Sequence, residues 1–157
     1  MSHRRIAAAL TLAMAAGGCM LPVPRWPASG PLTSAFGLRF RGIRPEIHRG
    51  VDLGVPTGTE IHAMTSGRVR YAGSMRGYGK VVWLTHRGSV LTVYAHLSEI
   101  RVRTGAPVRA GAVIGLSGAS GDATAPHLHF EIWRWGRQTD PVPLLGGPPP
   151  RRLSRSP

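Results

Sequence analysis

The sequence predicts an all-β, mainly antiparallel domain, and three observations carry that reading. With 21 glycines and 14 prolines in 157 residues, turns recur too often for long helices. Several segments rich in β-branched and aromatic residues alternate apolar and polar positions with a period of two. Outside the N-terminal apolar run, no segment sustains the 3.6-residue period that an amphipathic helix needs.

Taken in order, "GRVRYAG" (67–73) reads as a strand. "KVVWLTH" (80–86) and "SVLTVYAHL" (89–97) flank Arg87-Gly88 and read as a hairpin. "PVRAGAVIGLSG" (107–118) has the glycine spacing of a short strand between tight turns. "HLHFEIW" (127–133) alternates strictly: Leu128, Phe130 and Ile132 share one face, and His127, His129 and Glu131 share the other. These segments place the folded domain at residues 31–145. A Pro-rich tether is expected over 19–30, and the basic tail "GGPPPRRLSRSP" (146–157) is expected to be disordered.

The N-terminus starts basic, with His3-Arg4-Arg5, then runs apolar from Ile6 to Ala16 and ends in Gly17-Gly18-Cys19. That order is an export signal over residues 1–18, and the run is too short for a bilayer, which takes roughly 20 apolar residues. Small residues ending at Cys19 resemble a bacterial lipobox, which would make Cys19 the acylated residue and the chain a membrane-anchored envelope lipoprotein. Ala13-Met14-Ala15 offers an ordinary signal peptidase site as the alternative. Cys19 is the only cysteine, so an intrachain disulfide is excluded. The formal charge of +13, almost all from arginine, favours anionic partners. Nucleic acid is not expected among them, because the arginines are scattered and no recognition helix is evident.

The chemistry-bearing residues fall in three stretches. In the first, "EIHRGVDL" (46–53), His48 and Asp52 stand four apart, about 13 Å in a straight strand. A bend at Gly50 would bring them together. The second, "VYAHLS" (93–98), carries His96, whose parity matches Thr92 and Tyr94. The third, "APHLHFEIW" (125–133), sets His127 and His129 on one face of a strand whose other face is apolar. Four histidines and one carboxylate without a thiolate suit Zn²⁺ held by three protein ligands and one water. A water on such an ion is acidified enough to be a nucleophile at neutral pH. Spacing alone does not say which three of the five bind.

In this order, "HRGVD", "VYAHLS" and "APHLHFEIW" resemble the lysostaphin/LytM-type zinc endopeptidases of bacterial cell walls. The likeness extends through "LTSAFGLR" (32–39), "GVPTGTEIHAMTSGRVRYAG" (54–73) and "TDPVPLL" (139–145), so it covers essentially the whole domain. The resemblance implies a small antiparallel β-domain with a narrow groove over one zinc ion. His48, Asp52 and His129 would bind the metal. His96 and His127 would flank its water, one as general base and the other steadying the oxyanion. Arg39 would meet substrate carboxylates. The implied substrate is a peptide stem or cross-link of peptidoglycan. The alternative within the family is a non-catalytic protein that binds the wall or activates another hydrolase, with an envelope protein as its partner. Such relatives usually lack one or more of the ligands, and here all five positions are filled. Glu60 and Ala125 depart from the family pattern without touching a ligand. His62 and His86 match no catalytic position and read as structural, while Glu131 is placed to orient a ligand imidazole or to pair with an arginine.

Overall fold

The computed structural model describes residues 23–151; the expected signal over 1–18, Cys19 and the end of the tail lie outside the described residues. The described residues form twelve strands: β1 (Leu32–Ser34), β2 (Gly37–Arg41), β3 (Arg44–His48), β4 (Val51–Leu53), β5 (Glu60–His62), β6 (Gly67–Met75), β7 (Gly79–His86), β8 (Val90–Ile100), β9 (Pro107–Val108), β10 (Val113–Ser117), β11 (Leu128–Arg134) and β12 (Arg137–Thr139). One short helix, α1 (Pro141–Leu144), follows, its first turn capped by the Asp140 carboxylate on the Val142 N–H. Every strand pair is antiparallel, so the expected all-β class holds. Among the described residues no helix is long and apolar enough to cross a membrane.

The main sheet runs β1-β4-β11-β8-β7-β6-β9, while β2 and β3 form a separate hairpin. One face of the sheet buries the core, in which Leu53, Leu84, Tyr94, Leu97, Leu128 and Phe130 are fully inaccessible. Each such apolar side chain contributes roughly 1.5–3 kcal/mol of transfer free energy, enough to fix the register of the strand that carries it. The opposite face of β7, β8 and β11 carries a smaller apolar cluster around Val81, Val93 and Ala95. His129 and Glu131 stand on that second face, opposite Ala95 and Val93, as alternation requires.

Three details differ from the sequence reading. His127 precedes β11 and joins the fold by a single bridge to Gly118, its backbone N–H donating to the Gly118 carbonyl at 3.1 Å. His96 does not follow the parity of Tyr94. Between Lys80↔Leu97 and Val82↔Tyr94, β8 takes three steps where β7 takes two, so β8 bulges there. His96 sits in the bulge with φ +61° and leaves the core face, and Leu97 returns to it. The domain also extends past 31–145 at both ends. Trp26 packs 6.3 Å from Phe130 and donates its indole N–H to the Gly147 carbonyl, and the Gly30 N–H donates to the Pro150 carbonyl. Part of the expected tether and of the expected disordered tail is therefore docked, because an indole and several prolines gain more by packing than by extending into water.

Gly50 bends the chain between β3 and β4 as expected, but not through a left-handed backbone. A Cβ at Gly50 would lie within 2.3 Å of the Phe130 carbonyl oxygen, so the position needs glycine for room against β11.

Candidate metal centre

Three strands deliver three donor atoms to one point. His48 ends β3, Asp52 is the middle residue of β4, and His129 pairs directly with Asp52 across β11. His48 Nε2 lies 3.1 Å from Asp52 Oδ1 and 3.1 Å from His129 Nδ1, and His129 Nδ1 lies 2.8 Å from Asp52 Oδ1. Donors on a tetrahedral ion with bonds of about 2.0–2.1 Å stand roughly 3.3 Å apart, so the triangle has the right size for zinc.

Hydrogen bonds on the far side of each ring settle which nitrogens face inward with a lone pair. His48 Nδ1 donates to the Ala35 carbonyl at 2.7 Å, since a carbonyl can only accept. His129 Nε2 donates to the Glu131 carboxylate at 3.0 Å. Both inward nitrogens and Asp52 Oδ1 are therefore acceptors, and three buried acceptors converge without a donor among them. Such a cluster calls for a positive charge at its centre. Without an ion, a proton supplies that positive charge. Burial would raise the Asp52 carboxyl, but an inward imidazole N–H of His129 or His48 then outweighs it and holds the group well below the usual carboxylate range. Burial would lower the His129 imidazole, but the Asp52 and Glu131 carboxylates outweigh it and raise it, so an ion at the centre displaces a proton there. These residues fit a zinc ion by donor type, number, spacing and tautomer.

Two further imidazoles stand beside the triangle. The His96 ring lies 4.6 Å from the His127 ring and 5.8 Å from that of His129. His96 Nδ1 donates to the Ser120 carbonyl at 2.8 Å, which leaves Nε2 unprotonated. Burial, together with the neighbouring His127, pushes the His96 imidazole below its ordinary value despite the Ser120 bond, so it is neutral at pH 7. His127 Nδ1 donates to the Ala125 carbonyl at 2.8 Å, and its Nε2 stands 3.8 Å from Asp52 Oδ1. All five residues line one groove of about 500 Å³, with Arg39, Arg49 and Arg76 also along it.

Arg39 donates from one terminal nitrogen to Ser34 Oγ and to Asp52 Oδ2 at 3.1 Å, and from Nε to Glu46, its cross-strand partner on the β2–β3 hairpin. It thus holds the carboxylate oxygen that the imidazoles do not use. Glu131 is fully inaccessible and accepts from His129, from the Tyr78 hydroxyl at 2.7 Å and from the Trp133 indole. Of the two readings open for Glu131, the imidazole is the observed partner. The burial that keeps water out, together with this carboxylate, raises the Tyr78 hydroxyl to about 12. Tyr78 escaped the sequence reading. Its signal was the pair Gly77 and Gly79, both left-handed, which turns the chain so that the Tyr78 ring lies 5.9 Å from that of His129. His62 and His86 lie outside the groove. Nδ1 of each meets a carbonyl, of Gly111 and Ser66 respectively, and His86 Nε2 meets Thr92, as their structural reading expected.

Comparison with known proteins covers the same stretch of chain. Over 122 residues the chain is 38% identical to the murein hydrolase activator EnvC of Escherichia coli, covering 77% of this chain and 28% of EnvC. It is 39% identical over 113 residues to the DD-carboxypeptidase/endopeptidase Mpg of Neisseria meningitidis, covering 71% of this chain and 26% of Mpg. The chain therefore spans little more than a quarter of the length of these relatives. Among solved structures, the lysostaphin catalytic domain of Staphylococcus simulans superposes with a TM-score of 0.66 at 36% identity, covering 72% of this chain and 90% of that one. LytU superposes at 0.70 and 31% identity, covering 78% and 88%. A zinc-containing peptidase from Vibrio cholerae superposes at 0.72 and 28% identity, covering 80% and 40%. The profile of peptidase family M23 matches residues 46–141, a span that holds His48, Asp52, His96, His127 and His129 together. On the fold, the site and this match, the chain belongs to peptidase family M23.

Proposed function

We propose that the chain is an exported zinc endopeptidase that hydrolyses peptide bonds in peptidoglycan stems or cross-links. The observation that carries the reading is the convergence of three buried acceptor atoms with two imidazoles beside them in one groove. His48 Nε2, Asp52 Oδ1 and His129 Nδ1 would hold one zinc ion. When bound, the ion would supply a Lewis acid that polarises the scissile carbonyl and acidifies a water.

The chain's own groups do the rest. His96, neutral and anchored on Ser120, takes a proton from the attacking water at Nε2 and returns it to the leaving amine. His127, more exposed and held by Ala125, stands beside Asp52 at the groove and steadies the carbonyl oxygen as negative charge develops there. Arg39 keeps Asp52 aligned and, with 30% of its side chain exposed, meets a stem carboxylate at the groove wall. Arg49 and Arg76 extend the cationic wall. Residues 1–18 act as the export signal and Cys19 as the lipid-bearing anchor in the envelope, in keeping with the 36% identity to outer membrane antigenic lipoprotein B of Haemophilus influenzae. The basic surface draws the protein to the anionic envelope.

The test is release of dye from labelled sacculi by residues 20–157 with added zinc. Release that is abolished by chelator and by His96→Ala supports the endopeptidase. Absence of release from a folded, zinc-loaded chain overturns it. EnvC and NlpD, both murein hydrolase activators by name, favour a second reading, in which the groove serves to switch on another wall hydrolase. An activator keeps its effect on that hydrolase in Asp52→Ala, and an enzyme loses dye release.

A further inference from the structure

We propose that the sheet face leading away from the metal centre carries a glycan platform, a second binding site for the N-acetylated amino-sugar strand of the wall; this rests on the peptidoglycan reading above. The face of β7, β8 and β11 that bears His129 continues into a separate recess of about 350 Å³, lined by Arg70, Trp83, Thr85, Leu91 and Trp133 among others. Trp133 stands four residues beyond His129 on the same face of β11, roughly 13 Å along the strand. Thr85, Leu91 and Trp133 form one cross-strand row; Tyr71, Trp83, Val93 and Glu131 form the next, nearer the metal centre. The Tyr71 and Trp83 rings meet edge to face at 6.4 Å, and the Trp83 and Trp133 indoles are only partly buried.

The lining selects the ligand's chemistry. No carboxylate lines the recess among the described residues, and the His86 ring is engaged at both nitrogens. What remains is flat apolar surface edged by Arg70, Thr85 and Ser89. A pyranose matches that surface: its axial C–H face is apolar and stacks on an indole, and its rim of hydroxyl and acetamido groups takes hydrogen bonds.

Trp135 adds an independent observation. It occupies the β11–β12 turn with φ +50°, followed by Gly136 at +77°, the left-handed pair of a type I′ turn. Asn, Asp or Gly suits that first position, and a bulky side chain there is strained. Trp135 is nonetheless 70% exposed, with the Arg134 guanidinium 4.5 Å from its ring centroid, so neither turn geometry nor core packing accounts for the indole. Its backbone N–H donates to the carbonyl of Ser89, a residue of the recess, and its neighbour Gly136 also lines the recess.

The platform is tied to the centre through one side chain. The Trp133 indole donates to Glu131, and Glu131 holds His129, so a sugar seated on Trp133 sets the register of the attached stem over the metal ligands.

The experiment titrates the whole chain, kept metal-free with chelator, with the tetramer of N-acetylglucosamine, read by calorimetry. Saturable binding is expected, weakened roughly tenfold by Trp83→Ala, a change of about 1.4 kcal/mol. Trp135→Asn is expected to keep or raise the melting temperature, because Asn suits the turn, and still to weaken the tetramer several-fold. No saturable binding at millimolar tetramer overturns the platform. So does unchanged affinity in both variants, or binding of a free stem peptide in place of the sugar. Nothing is cleaved in this titration, so its outcome is independent of dye release. A chain that binds tetramer but releases no dye keeps the platform and loses the endopeptidase; dye release without tetramer binding does the reverse.

Discussion

Replacing Glu131 by Gln tests whether this carboxylate holds the metal centre together. The change keeps size and shape but removes the charge and exchanges one acceptor for a donor. Glu131 is fully inaccessible, with Oε1 accepting from His129 Nε2–H and the Tyr78 hydroxyl, and Oε2 accepting from the Trp133 indole. A glutamine amide can satisfy one side only. Either its nitrogen faces the indole N–H, or it faces the imidazole N–H and the phenol. A buried donor left facing a donor costs about 1–3 kcal/mol. For a chain of this length that corresponds to a melting temperature lower by roughly 3–10 °C. The lost charge also makes His129 a poorer ligand, and such outer partners typically govern metal affinity by 10–100-fold. The assay pairs thermal unfolding of the metal-free chain with zinc competition against a chelator of known affinity. Equal zinc affinity and a melting temperature within about 1 °C of the parent chain would show that Glu131 neither orients His129 nor needs its three donors.

Other outcomes follow from the same geometry. Gly50→Ala drives a methyl group against the Phe130 carbonyl and separates β4 from β11, so stability should fall by about 1–3 kcal/mol and zinc affinity with it, as denaturant titration and metal competition will show. The His96 imidazole is pushed below 6.5 mainly by burial, and the base must be neutral to accept a proton. With zinc held saturating, dye release should therefore hold steady at neutral pH and fall only below the ordinary imidazole range; an acid limb at neutral pH under saturating zinc contradicts His96 as the base. A chain cut to residues 31–145 loses Trp26 and its bond to Gly147, and should unfold about 2–4 kcal/mol more easily than residues 23–151 in urea.

How far the sequence reached depends on the kind of signal each residue left. β11 was legible because Leu128, Phe130 and Ile132 alternate strictly with His129 and Glu131, and burial of one set fixes the other. The meeting of His48 and Asp52 was legible only as a bend at Gly50, and the reason for that glycine lies in a neighbouring strand that local reading does not include. His96 could not be aimed from parity, because a one-residue bulge reverses the face and leaves no mark in composition. Tyr78 reaches Glu131 over 53 positions of sequence, a contact set by topology rather than by any local pattern. The end segments were read from composition, prolines for 19–30 and a basic low-complexity run for 146–157, and composition does not say whether such backbone is free or packed, as Trp26 and Gly30 are here against Gly147 and Pro150.

Two features of the site oppose stability, and their coincidence argues for function. Three buried acceptors face one another, and His96 holds a left-handed backbone in the middle of a strand. A non-glycine residue in that conformation costs on the order of 1 kcal/mol, and histidine gains nothing there that asparagine would not. His96→Asn separates stability from chemistry. The Asn amide can take the place of Nδ1–H against the Ser120 carbonyl and tolerates φ +61°. The variant should melt within a few degrees of the parent chain or above it, and it should bind zinc with similar affinity, since His48, Asp52 and His129 are untouched. Dye release should nevertheless disappear, because an amide cannot take the proton that Nε2 accepts. Retained release would place the base elsewhere in the groove, and a large loss of stability would mean that the His96 ring is held for packing and the strain serves the fold.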